Sequence, residues 1–290
     1  MSLSLQGVMG PVVTTFTSSG EIDRTAFAEN IRAHLDAGMT GVVVAGSTGE
    51  AALLDEKERG WLVEVARHSI PSDRRLIVGT GAESTRTTQR LTKLAAERGA
   101  DAVLVVAPHY YGAKVVALRD HYTAVADTSP VPVLLYTIPK YMHFALPPQL
   151  VAELAKHENI VGLKDSSGDL EILAGYLKAQ SDSFTVLTGN GSTFKRALEL
   201  GARGGILAVA LFAAGLAVEV FDKKSQEAQD RLTPLSARIV GDMGVAGVKA
   251  ALDRVGLVGG TVRAPLQALG AAELAQVTEL LRVAELSLAA

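Results

Sequence analysis

The sequence predicts a (β/α)8 barrel, a TIM barrel, with additional helices at its carboxyl end. Three observations carry that prediction. Short apolar runs of β type alternate with helical patterns eight times over roughly the first 225 residues, the spacing of repeated βα units. The runs are continuous in apolarity rather than alternating, as in a parallel sheet covered on both faces. No dinucleotide fingerprint follows the first run, so a doubly wound open sheet is the weaker choice. Two regions result: a barrel over residues 1–224 and a helical extension over 225–290. No low-complexity linker separates them, so the extension is expected to pack on the barrel.

The expected strands are residues 7–14, 41–45, 76–79, 102–107, 133–136, 160–164, 184–188 and 204–209. Each is a short apolar run bounded by turn residues. The helices between them are expected at 23–37, 55–69, 84–98, 116–128, 147–156, 169–180 and 194–200, with an eighth near 212–224. Asp23 and Ser84 stand where N-caps belong. Pro147 and Pro148 suit a first helical turn. Gly38, Gly99 and Gly201 each follow a helical pattern, where a left-handed residue ends a helix. Past residue 225 the strand signal stops, and 226–240, 246–255 and 272–288 read as helices.

Composition excludes several function classes. The chain has 290 residues, 48% of them apolar, enough to bury a large core. Its net charge of −3 comes without a basic stripe, which argues against nucleic acid and anionic membrane as partners. Cysteine is absent, so disulfides and thiolate metal sites are ruled out. No apolar run is long enough for a membrane span. Residues 1–6 lack the charged and apolar regions of a signal peptide. The cytoplasm is the expected location.

The barrel fold places active sites at the carboxyl ends of its strands. The sixth run, Ile160-Val161-Gly162-Leu163, ends in Lys164, followed by Asp165-Ser166-Ser167-Gly168. An inward-facing lysine loses its ammonium form to burial, and a neutral amine attacks ketones to give a Schiff base. The competing reading is a structural lysine paired with Asp165 or a nearby carboxylate. The second strand ends in Gly46-Ser47-Thr48-Gly49-Glu50, two hydroxyls between glycines just before a helix. This is either an anion site or an ordinary turn. Of six tyrosines, Tyr110 and Tyr111 end the fourth strand and Tyr136 ends the fifth. A phenol near a neutral lysine relays protons; a phenol at a barrel rim also has an apolar body and a wet tip. Glycines 189, 191, 204 and 205 at later strand ends admit a ligand to the backbone, or simply end strands. Gly79-Thr80-Gly81 reads as a structural turn. His34, His68, His121 and His157 are expected on helices, exposed or partly packed. His109 and His143 lie in rim loops, within reach of a substrate. No His, Asp and Glu spacing suits a metal, which disfavours a metal-dependent aldolase.

Four motifs in order carry a resemblance over nearly the whole chain. They are Gly46-Ser47-Thr48-Gly49-Glu50, Tyr110, Leu135-Tyr136-x-Ile138-Pro139, and Gly162-Leu163-Lys164-Asp165. Together they resemble the dihydrodipicolinate synthase / N-acetylneuraminate lyase family of pyruvate-dependent class I aldolases. The resemblance implies that Lys164 forms a Schiff base with pyruvate or another 2-oxo acid, with no cofactor. It implies that Tyr136 shuttles protons, and that Ser47 and Tyr110 complete a hydroxyl relay. Tyr110 would reach in from a neighbouring subunit of a homotetramer, a dimer of dimers. Ser47 and Thr48 would hold the pyruvate carboxylate, and Gly189 and Ile206 would line its pocket.

The member within the family follows from departures. Dihydrodipicolinate synthases carry an arginine two residues after the proline of the Tyr-x-x-Pro motif. Here that position is Tyr141, and Lys140 does not reproduce a bidentate guanidinium. Thr137 stands where many members have asparagine. Other stretches resemble the 4-hydroxy-2-oxoglutarate aldolase branch. These are Gly81-Ala82-Glu83-Ser84-Thr85, the run from His121 to Pro130, Gly162 to Asp169, and Gly259-Gly260-x-x-Arg263-Ala264-Pro265-Leu266-Gln267. That branch commonly has asparagine at the place of Thr48. Ser166 suits a substrate hydroxyl or carboxylate, and the stretch 140–144, with Tyr141 and His143, faces the variable end. The expectation is cleavage of a 4-hydroxy-2-oxo acid to pyruvate and an aldehyde such as glyoxylate, or its reverse. Alternatives are a synthase condensing pyruvate with aspartate semialdehyde, a 2-keto-3-deoxy sugar-acid aldolase, or a barrel that only binds a 2-oxo acid.

Overall fold

The structure is a computed structural model describing residues 4–112 and 114–289. The first three residues of the leader reading over 1–6 lie outside them. Eight parallel strands close in sequence order: β1 (Gly7–Pro11), β2 (Gly41–Val44), β3 (Arg75–Gly79), β4 (Ala102–Val106), β5 (Val133–Thr137), β6 (Ile160–Asp165), β7 (Thr185–Thr188) and β8 (Gly204–Ile206). Between them run α1 (Arg24–Asp36), α2 (Glu56–Ser69), α3 (Thr85–Glu97), α4 (Val115–Thr128), α5 (Pro139–Met142), α6 (Pro148–Leu154), α7 (Leu170–Leu177) and α8 (Phe194–Leu200). After β8 come α9 (Ala214–Lys223), α10 (Gln226–Pro234), α11 (Gly244–Arg254) and α12 (Ala271–Val283). No helix is long and apolar enough to cross a membrane.

Local chemistry sets the helix ends. Asp23 and Ser84 accept from the backbone N–H groups of Ala26 and Thr87, and Asp55 forms a capping box with Glu58. Gly38, Gly99 and Gly201 have φ of 98°, 92° and 117°, the left-handed region that glycine enters without Cβ strain. Side chains alternate between two layers. Met9, Val43, Ile77, Leu104, Leu134, Leu187 and Ile206 meet inside the barrel. Val8, Val42, Val44, Val103, Val105, Leu135 and Leu163 pack under the helices. Each such burial contributes about 1.5–3 kcal/mol. Leu232, Leu235, Ile239, Leu252, Val277 and Leu281 of the carboxyl-terminal helices join that outer core. The extension is therefore packed on the barrel.

Several boundaries differ from expectation. β8 ends at Ile206, because a 3-10 turn over Ala208–Leu211 takes the chain out of the barrel. The stretch 140–144 is not a plain loop: Pro139 starts the one-turn helix α5, and His143 ends it in the left-handed region. The helix expected over 226–240 changes hydrogen bonding at Pro234 and continues as a π-helix over Leu235–Asp242. Proline lacks an N–H and its ring crowds the carbonyl four residues back, so regular α-bonding does not run through it. His34 and His121 are buried rather than exposed. Burial lowers the His34 imidazole to about 4, and His121 Nδ1 lies 2.9 Å from the Thr85 hydroxyl. His157 falls past the end of α6.

Candidate active site

Lys164 reaches the barrel interior through an irregularity in β6. The register of β5 on β6 shifts after Val133: Val133 pairs with Ile160, but Leu134 pairs with Gly162. Val161 is thus an extra residue, a bulge that resets the in–out alternation. Beyond it Leu163 packs under the helices, and Lys164 lies opposite Tyr136 of β5 and Leu187 of β7. The ammonium nitrogen sits 4.5 Å from the centre of the Tyr136 ring.

Lys164 is only 6% exposed. No carboxylate among the described residues lies within ion-pair distance of it, so the structural ion pair is not formed. Asp165, next along the strand, points the other way and accepts from the N–H and hydroxyl of Ser167 at 2.9 and 2.8 Å. With nothing to offset burial, the Lys164 amine falls from 10.5 to about 7. Burial raises the Asp165 carboxyl to about 6, against the pull of its bonds to Ser167. Burial also raises the Tyr136 phenol, and the Ser47 and Ser166 hydroxyls beside it act in the opposite direction. Tyr136 is therefore a neutral phenol at pH 7, flanked by two hydroxyls and a half-neutral amine.

The other expected residues fall into two groups. Ser47, Ser166, Gly189 and Ile206 gather around this pair. A Cβ on Gly189 would collide with the Ser166 hydroxyl and press on Lys164 Cε, so only glycine leaves the lysine room. Ile206 packs in the inner cluster with Tyr136 and Leu187. Thr48 follows Ser47 on the same half-buried turn. That turn is not at the start of a long helix: a 3-10 turn over Ala51–Leu53 intervenes, and α2 begins only at Glu56. An anion at this turn would meet hydroxyls and loop N–H groups rather than the start of a long helix. Tyr141 is 43% exposed, near enough to Tyr136 for its phenol to be raised by it after burial, and His143 is exposed. Both stand at the mouth. Tyr110 is 78% exposed, not beside Lys164.

Three features were not expected from sequence. Thr137 is buried with its hydroxyl accepting from Leu146 N–H at 3.2 Å, while Tyr176 donates to Leu146 C=O at 2.6 Å. Together they anchor the far end of the α5 segment. The Glu83 carboxylate accepts from the N–H groups of His109 and Tyr110 at 3.0 and 2.9 Å, fixing the loop that presents Tyr110. Glu50, at the end of the Ser47 turn, is buried against Lys249 of α11 at 2.6 Å. The motif contained Glu50 and Glu83, but their partners lie too far along the chain for spacing to reveal.

Two lysines are buried among the described residues; Lys249 is paired and Lys164 is not. A parallel barrel holding a buried, unpaired lysine against a phenol, with burial lowering the amine, fits a class: enzymes that make Schiff bases with carbonyl substrates. Comparison with known proteins narrows the class. The model of the dihydrodipicolinate synthetase family matches residues 4–284. A 4-hydroxy-tetrahydrodipicolinate synthase of Syntrophus aciditrophicus is 36% identical over 268 residues, covering 90% of this chain and 92% of that protein. The crystal structure of a Bacillus anthracis dihydrodipicolinate synthase superposes with a TM-score of 0.93 at 29% identity, covering 97% of this chain and 99% of that one. YagE of Escherichia coli, a member of the same family crystallised with pyruvate, gives 0.92 at 28% identity, with the same coverage. The chain belongs to the dihydrodipicolinate synthetase family, and it is a carbon–carbon lyase of the pyruvate-dependent class I aldolase type.

Proposed function

We propose that the chain is a pyruvate-dependent aldolase that cleaves or forms a 4-hydroxy-2-oxo acid, with Lys164 as nucleophile. The observation that carries the mechanism is the buried, unpaired amine 4.5 Å from the Tyr136 ring. At pH 7 about half of the Lys164 amine is neutral, given its value of about 7. It attacks C2 of the oxo acid, and the carbinolamine oxygen leaves as water with a proton supplied by Tyr136. The protonated imine then accepts the electron pair of the C3–C4 bond. The proton of the 4-hydroxyl passes to the Tyr136 oxygen and the aldehyde departs. The enamine takes a proton at C3, and hydrolysis frees pyruvate and the amine. Ser47 and Thr48 hold the carboxylate, which fixes orientation and lowers the entropic part of the barrier. Gly189 leaves space above the lysine, Ile206 forms the apolar floor, and Ser166 meets the substrate's 4-hydroxyl.

Tyr141 supports an aldolase over a synthase. The synthases of this family have an arginine there for a second carboxylate, and a half-exposed phenol makes no bidentate pair. Glyoxylate is the first aldehyde to test. The naming of the Syntrophus relative as a synthase favours the second reading, condensation of pyruvate with aspartate semialdehyde. Tyr110 and Tyr111 support a paired assembly: they stack edge to face at 5.0 Å, both largely exposed, and Val115 and Val116 a few residues on are exposed as well. In that assembly Tyr110 completes the relay of a second copy, and the homotetramer and the cytoplasm are our readings of state and place.

Borohydride reduction in the presence of pyruvate, followed by peptide mapping, tests the nucleophile. A reduced pyruvate adduct at Lys164 is expected. Adducts scattered over surface lysines, or none, would overturn it. Feeding pyruvate with glyoxylate or with aspartate semialdehyde separates the two substrates: a cyclised product in the second arm refutes the aldolase assignment.

A further inference from the structure

The turn that bears Ser47 and Thr48 is bounded by two non-glycine residues in the left-handed region, Ala45 at φ 52° and Glu50 at φ 57°. Such residues are rare and unfavourable outside glycine, and they persist where surrounding structure holds them. On the barrel side, the Thr14 hydroxyl donates to Gly49 C=O at 2.7 Å. Arg59 of α2 donates to Ala51 C=O just past the turn, and the Glu50 carboxylate takes both of its partners from the carboxyl-terminal extension. Lys249 Nζ meets Glu50 Oε1 at 2.6 Å, an ion contact rather than an aligned hydrogen bond, with both side chains buried. Arg263 N–H donates to Glu50 Oε2 at 2.8 Å. The arrangement continues past the turn. The Arg263 guanidinium forks onto Glu58 at 2.7 and 2.8 Å and donates to Leu53 C=O at 2.8 Å. Lys249 also donates to Thr261 C=O at 2.6 Å. The two cations share one aromatic ring: Lys249 Nζ lies 4.7 Å and Arg263 Cζ 4.1 Å from the centre of Phe16.

A buried ion pair is a poor way to gain stability, since apolar residues of the same volume often do as well. What it supplies is geometry: a carboxylate with two fixed donors has one place to be. We propose that Glu50 is a positioning residue for the pyruvate carboxylate clamp, set by Lys249 and Arg263. The extension is on this view part of the substrate site, although none of its residues touches substrate. The inference rests on the reading of Ser47 and Thr48 as the carboxylate clamp.

The test uses the full chain, with pyruvate and methyl pyruvate as probes. The ester presents the same ketone to Lys164 without a carboxylate. Half-saturating concentrations for borohydride-trapped label at Lys164 are compared for the parent, Glu50→Gln, Lys249→Met and the double variant. The double variant strands no charge, so it serves where a single variant does not fold. Pyruvate should need at least tenfold more in every folded variant, and methyl pyruvate should change less than twofold. If both probes shift by the same factor, or neither shifts, the pair only supports the fold and the proposal fails. A parent that pyruvate does not label at Lys164 overturns the clamp reading itself, and this inference with it.

Discussion

Lys164→Met should make the protein more stable while abolishing Schiff-base chemistry, and the gain should depend on pH. Methionine keeps the apolar stem and similar volume but removes the buried amine. In the folded state that amine titrates near 7, against 10.5 when unperturbed. Below about 7 both folded and unfolded chains hold the proton, and the folded state contains the unpaired ammonium. Between about 7 and 10.5 the unfolded chain binds the proton and the folded one does not, so parent stability rises with pH across that window. The fall from 10.5 to about 7 corresponds, at about 1.36 kcal/mol per pH unit, to about 5 kcal/mol. The penalty the variant escapes is therefore about 5 kcal/mol at pH 6.5 and about 2 kcal/mol at pH 9. Packing changes from the substitution are the same at both pH values, so the difference between them is the observable. Urea unfolding followed by the single tryptophan, Trp61, would be run on parent and variant at equal protomer concentration. An advantage of the variant that is flat with pH, or that grows toward pH 9, would refute the claim of a buried, unpaired amine.

Four further substitutions probe the rest of the site. Tyr136→Phe should lower kcat by about 10²–10⁴-fold, the usual loss when a proton carrier is removed, with unchanged circular dichroism. Gly189→Ala should drive a methyl group into the Ser166 hydroxyl and Lys164 Cε; trapping at Lys164 should fall, with about 1–3 kcal/mol of overpacking seen in urea. Thr137→Val leaves Leu146 N–H without its acceptor, at a cost of about 1–3 kcal/mol, and hydrogen exchange at that amide should quicken. Tyr141→Arg supplies the missing guanidinium; it should produce a detectable cyclised product from pyruvate and aspartate semialdehyde where the parent gives none, as read by mass spectrometry.

The barrel was legible because its signal is local. Each strand is a short apolar run, and several helices carry their own caps and stops, so the βα alternation needs no long-range information. The place of Lys164 and Tyr136 at the carboxyl ends of adjacent strands was legible for a related reason: each ends an apolar run, and the four motifs have a characteristic order. The way Lys164 reaches the interior was not. A bulge at Val161 depends on how two strands register, and a run of five residues reads the same with or without it. The π-helix after Pro234 was missed because an apolar pattern does not distinguish the two helical hydrogen-bonding schemes over a few residues. The full burial of His34 and His121 is not legible, because one polar residue on an amphipathic helix does not tell which neighbour covers it. Glu50 stood in a recognised motif, but its role depends on Lys249 and Arg263, which no periodicity links to it.

The contact between Glu50 and Arg263 spans 213 positions. A chain made from its amino end therefore completes all eight strands before the anchor of its second turn exists. Until Lys249 and Arg263 arrive, the Glu50 carboxylate has neither of its donors, and the turn has no reason to keep its left-handed bend. Lys164 and Tyr136 lie on strands that are already made at that stage. The order of synthesis thus leaves the bend at Glu50 without its carboxyl-terminal anchor until nearly the whole polypeptide has been made.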